Sequence, residues 1–67
     1  MRKWLVSVEY LKGDIFAYEF HDRENAEDCM TAYPSIIRRV TLMKRTNEIP
    51  GCWETVYYID KEGRHDL

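Results

Sequence analysis

No run of apolar residues in this chain approaches the roughly twenty needed to cross a bilayer, so a membrane-spanning helix is excluded on length alone. Cysteine is scarce. Cys29 and Cys52 stand far apart and are too few for the disulfide framework of a small secreted domain. Cys29 falls on the apolar stripe of a predicted helix and reads as a buried thiol packing like a small hydrophobe, which favours a reducing, cytoplasmic setting. A single Cys29–Cys52 bridge is the alternative. With 3 glycines, 2 prolines and no stretch rich in Ser, Gly or Pro, a linker of any size and a glycine-rich phosphate loop are both excluded. The opening MRKWLVSVEYLKG carries a basic pair but meets Glu9 too early to form the apolar core of a signal peptide.

What is present reads as one domain spanning residues 1–67, and a chain this short buries only about 60% of the surface its unfolded form exposes, so marginal stability is expected. Its organising stretch is His21 to Tyr33. There Ala26, Cys29, Met30 and Tyr33 stand at i, i+3, i+4 and i+7, predicting one amphipathic helix of about three turns. Asp22 is placed as the N-cap, able to accept from the amide of Asn25, with Glu24, Glu27 and Asp28 near the positive end of the helix dipole. Pro34 ends the helix. Elsewhere the apolar period is two. Trp4 to Leu11 alternates Trp4, Val6, Val8 and Tyr10 against Leu5, Ser7, Glu9 and Leu11. A Lys12-Gly13-Asp14 turn leads into Ile15–Phe20, with Phe16, Tyr18 and Phe20 on one side. A third strand is predicted over Ile36–Arg45 and a fourth over Cys52–Ile59, joined by a turn at Pro50-Gly51. Asp60–Gly63 reads as another turn, and Arg64–Leu67 as a frayed tail or short strand extension.

This order predicts an α+β fold, ββαββ, with a four-stranded antiparallel-type sheet in the order 2-1-3-4 and one helix packed on one face. One helix is narrower than four strands, so Trp4, Phe16, Phe20, Trp53 and Tyr57 are expected to complete the core beyond its reach. Strict alternation sends Leu5, Leu11, Ile15, Ala17, Ile37, Met43, Val56 and Tyr58 to the open face, among Glu9, Glu19, Arg39, Arg45 and Glu54. A solvated antiparallel face is normally more polar. Scattered surface residues are one account of it. The sharper account is an apolar interface with a charged rim, built on Leu5, Leu11, Ile15, Met43, Val56 and Tyr58.

The net charge of −2 hides a segregation between an acidic helix, with Asp22, Glu24, Glu27 and Asp28 on its exposed sector, and a basic third strand carrying Arg38, Arg39, Lys44 and Arg45. These are either solvated faces or surfaces complementary to a charged partner. A pI near 5.6 argues against nucleic acid as partner of the whole domain, and alternation turns Arg38 toward the helix and Arg39 away, so the two should not share a groove. His21, Cys29, Cys52 and His65 are metal-capable but form no close pair, and no metal or cofactor is expected. The helix carboxylates lack a desolvated pocket for acid–base work, and an aromatic core leaves little room for a pocket of about 300 Å³. No enzymatic activity is expected.

The succession WLVSVEY, IFAYEF, the acid-rich HDRENAEDCMTAY and the basic RRVTLMKR resembles small accessory proteins of bacteriophages and mobile elements. The layout, over about the first 45 residues, is similar to phage inhibitors of host RNA polymerase and to small anti-CRISPR proteins. In the polymerase inhibitors a ββαβ domain acts through arginines of its last strand, which the resemblance places at Arg38, Arg39 and Arg45. The fourth strand, Cys52–Ile59, departs from that pattern and would bury the basic strand inside the sheet. The function expected is a soluble protein-binding module, an inhibitor or adaptor of a host or cognate protein, with no membrane partner. Homodimerisation through the open face or the fourth strand's edge belongs to the same reading. The alternative is a nucleic-acid-binding accessory protein using the basic third strand.

Overall fold

The computed structural model describes residues 2–31, 36–46 and 52–67. Its elements are β1 (Trp4–Tyr10), β2 (Ile15–Phe20), α1 (Arg23–Met30), β3 (Ile37–Arg45), β4 (Trp53–Asp60) and β5 (Gly63–Asp66). All neighbours are antiparallel in a five-stranded sheet of order β2-β1-β3-β4-β5. The expected order 2-1-3-4 is therefore present, with one strand more. The tail after Asp60 turns at Gly63, whose φ of +114° suits a residue without Cβ, and pairs along β4 from Asp60 to Tyr57. The edge of β4 is thus covered, which removes it as a dimerisation edge.

Helix α1 starts as its sequence predicts, with Asp22 Oδ1 accepting from the Asn25 amide at 3.0 Å. It is shorter than expected, eight residues ending at Met30, where Thr31 caps it through N–H bonds to the carbonyls of Cys29 and Glu27. Tyr33, Pro34 and the Pro50-Gly51 turn lie outside the described residues. Ala26 and Met30 are buried and Cys29 packs partly against the same core. They meet Val6 and Val8 of β1, Val40 and Leu42 of β3, and Tyr57 of β4.

Two register shifts decide which side chains share a face, and neither is visible in a period of two. Between Glu9 and Tyr10 the partner jumps from Arg39 to Ile37, leaving Arg38 as the extra residue. Ile37, opposite Tyr10, consequently packs against the core and not on the open face. Arg38 moves the other way, to within 3.8 Å of Glu9, so its expected position on the helix side is overturned. Between Leu42 and Met43 the partner jumps from Tyr57 to Thr55, and Val56 is the extra residue. The shift carries Trp53 onto the open face opposite Arg45, whose guanidinium lies 4.6 Å from its ring centroid, so Trp53 does not complete the core. Val56, expected on the open face, packs partly against the core instead.

Candidate protein-binding surface

β2 is the edge of the sheet. Its pairing to β1 runs from Trp4 opposite Phe20 to Glu9 opposite Ile15, which gives Phe16, Tyr18 and Phe20 the face of Val6 and Val8 and puts Ile15, Ala17 and Glu19 on the other. Only Phe20 is half-buried; every residue from Ile15 to Glu19 is exposed. α1 is narrow and packs over β1, β3 and β2 without enclosing the hairpin end, so Phe16, expected in the core, stays 50% exposed and touches Tyr10 edge-on at 5.7 Å between ring centroids. Tyr18 is 41% exposed and Ile15 62%, giving an apolar strand on both faces with an uncovered backbone. Glu19 is its one charged residue. Natural edges usually carry lysine, proline or a bulge that discourages pairing, and β2 carries none of these.

The hairpin end continues this surface. Leu11 and Ile36, each 56% exposed, are joined by a backbone bond from the Leu11 amide to the Ile36 carbonyl at 3.1 Å. With Tyr10, Lys12, Asp14 and Phe16 they line an open groove of about 530 Å³. Of the interface predicted from alternation, Leu11 and Ile15 are therefore the exposed members. Leu5 and Met43, opposite one another on the open face, and Tyr58, opposite Thr41 on β4, are only half-buried and offer less. Exposure shifts the centre of the surface from the middle of the sheet to its β2 edge. The residues missed, Phe16 and Tyr18, carried a signal in the sequence: a hairpin whose second strand is apolar on both faces.

A second groove, about 560 Å³ and also open, lies at the same end and is lined by Leu11, Arg38, Arg39, Asp60, Lys61 and Glu62 among others. The bulge brings Arg38 and Arg39 to this groove together, overturning the expectation that they could not share one. Arg38 donates to the Leu11 carbonyl at 3.3 Å, and Arg39 lies 4.9 Å from the ring centroid of Tyr58. Tyr58 also stacks on His65 at 4.7 Å, and His65 Nε2 is 3.0 Å from Asp60 Oδ1. The Glu62 amide, and after it the His65 ring, hold the Asp60 carboxyl below the usual carboxylate range. Asp60, Glu62 and His65 bring ligand-capable atoms within 4.8 Å of one another. Asp60 and His65 already engage each other, and the positive charge of Arg39 beside Asp60 opposes a cation there.

The remaining charged residues are divided between surface and structure. Arg45 is nearly enclosed, at 13% side-chain exposure, by Trp53, a bond to the Arg2 carbonyl at 3.0 Å and Glu19 at 3.9 Å. Lys44 points to the helix side, its ammonium 5.8 Å from the Trp4 ring centroid. On α1, Glu24 and Asp28 are exposed, Asp22 is engaged as the cap, and Glu27 is not on the free sector expected for it. Glu27 accepts from the Tyr57 hydroxyl at 2.6 Å and pairs with Arg23 at 3.4 Å. That hydroxyl is the first cause holding the Glu27 carboxyl below its ordinary value; burial, and then the bond to Glu27, raise the Tyr57 phenol.

These features define a small α+β protein: an antiparallel sheet with one helix on one face and an apolar edge strand left open. The chain matches no protein-family model, no curated protein and no solved structure.

Proposed function

We propose that this protein is a non-enzymatic binding module that docks another protein strand along β2, with the hairpin end as the flanking contact. The observation that carries this reading is the exposure of every residue from Ile15 to Glu19 on an edge strand bearing Ile15, Phe16 and Tyr18. Strand addition would use the backbone groups of β2 for affinity and the alternate side chains for selectivity. A module that occupies a strand site on a host or cognate protein would act as an inhibitor or adaptor, the role its layout resembles. Ala17→Pro tests the reading, because proline at an edge removes an outward N–H while leaving the bonds to β1. Tagged protein from its native cell should retain a partner, and the Ala17→Pro protein, melting normally, should lose it; equal retention overturns the reading.

The bulge supports a second reading, in which Arg38, Arg39 and Lys61 receive an acidic or phosphate-bearing ligand, nucleic acid included. Asp60 and Glu62 share that groove, and Glu9 pairs with Arg38, so the net field there is weak. The edge reading is preferred for this reason.

A further inference from the structure

We propose that the strand received at the β2 edge is the β2 of a second copy, paired antiparallel about Ala17. The inference rests on the edge-docking reading and deepens it by naming the occupant. Its first support is the phase of the hydrogen bonds. The Tyr10 amide donates to the Asp14 carbonyl at 2.8 Å, which marks these opposed residues as a directly bonded pair. Bonded and non-bonded pairs alternate along an antiparallel ladder, so Val8 with Phe16, Val6 with Tyr18 and Trp4 with Phe20 continue the bonded set. The backbone groups of Phe16, Tyr18 and Phe20 thus face β1. Those of Ile15, Ala17 and Glu19 face outward.

A second β2 must present its own outward groups, so only Ile15, Ala17 and Glu19 of the two copies can be bonded partners. Centring the pair on Ala17 uses all of them: Ala17 meets Ala17 and Ile15 meets Glu19. Shifting by two residues in either direction strands one end of each ladder, and a further shift toward the helix sets Glu19 against Glu19. The Ala17 register also places Phe16 opposite Tyr18 twice, in non-bonded pairs, where opposed side chains come closest. These are the two aromatics the monomer leaves 50% and 41% exposed on that face. The edge is self-complementary in this register, in hydrogen bonding and in aromatic burial alike. An isologous pair requires that property, and this register supplies it together with burial of both exposed aromatics.

Sedimentation equilibrium of the full chain at about 100 μM tests the proposal, well above a Kd of about 1 μM. A dimer is expected, with Ala17→Pro raising Kd at least about tenfold while the melt is kept. Ile15→Lys should retain the dimer, because the introduced lysine faces Glu19 of the second copy in this register alone. A dimer indifferent to Ala17→Pro, or one lost in Ile15→Lys, overturns the proposed pairing. A monomer throughout overturns the second copy as occupant. In that event loss of a captured partner on Ala17→Pro keeps the strand-docking reading, and retention of the partner overturns that reading as well.

Discussion

Glu27 and Tyr57 join the helix to β4 through a 2.6 Å hydrogen bond, flanked by Arg23 and by Arg64, whose guanidinium lies 3.7 Å from the Tyr57 ring centroid. Tyr57→Phe should cost about 1 kcal/mol, below the usual range for a bond to a charged group because the Glu27 side chain remains 35% exposed. The pair also sets a pH window. Glu27 is held below its ordinary 4.5, so its contribution is complete above that value and disappears as pH falls through the lower folded value. Tyr57 is held above its ordinary 10.0, so its contribution is complete below that value and is lost as pH rises through the folded one. Melting curves of the natural protein and Tyr57→Phe should therefore converge in acid; a gap unchanged from neutral pH into strong acid would remove the bond as its cause. Arg45 and Arg39 separate in the same assay. Arg45→Glu should lose about 2 kcal/mol by exposing Trp53 and setting a second carboxylate beside that of Glu19, whereas Arg39→Glu, at an exposed site, should melt almost unchanged.

At the scale of elements, α1 buries two residues fully in the core, Ala26 at 0% and Met30 at 5% exposure, with Cys29 partly packed beside them. Met30→Asp should leave the chain unfolded near room temperature, because a carboxylate there would be buried in the core cluster that Val6, Val8, Val40 and Leu42 share. Glu24→Ala, on the exposed first turn, is the control; circular dichroism showing equal, small losses for both would contradict the packing. The helix start was legible because Asp22 and Asn25 are neighbours in sequence, and the hairpin because Gly13 marks a turn with φ of +101°. The positions of Ile37, Arg38, Trp53 and Val56 were not legible. Each follows a one-residue shift that shows only when a strand is set against its neighbour, and a shift of one exchanges the faces of everything beyond it. β5 was half legible, since GRHD lacks strand-forming residues and is ordered by pairing to β4.

For the whole molecule, the competing readings differ in how binding responds to ions. An edge built on Ile15, Phe16 and Tyr18 should hold its partner with less than about a threefold change in Kd between 50 and 500 mM salt, both concentrations being approximate. Phosphate binding through Arg38, Arg39 and Lys61 should weaken by an order of magnitude or more over the same range. A steep dependence would move the function from the edge to the charged groove.

The two margins of the sheet are unlike. β5 forms one with the short, charged sequence Gly63–Asp66, in which the exposed Arg64 and Asp66 pair at 2.9 Å. β2 leaves the other open. A sheet with both margins adhesive can add copies without limit; on the edge-docking proposal, with β2 the one apolar margin, a single strand is received and growth ends with it. On that proposal, an apolar edge that would be a fibre-forming hazard in a sheet with two such margins is limited to a single, terminating partnership.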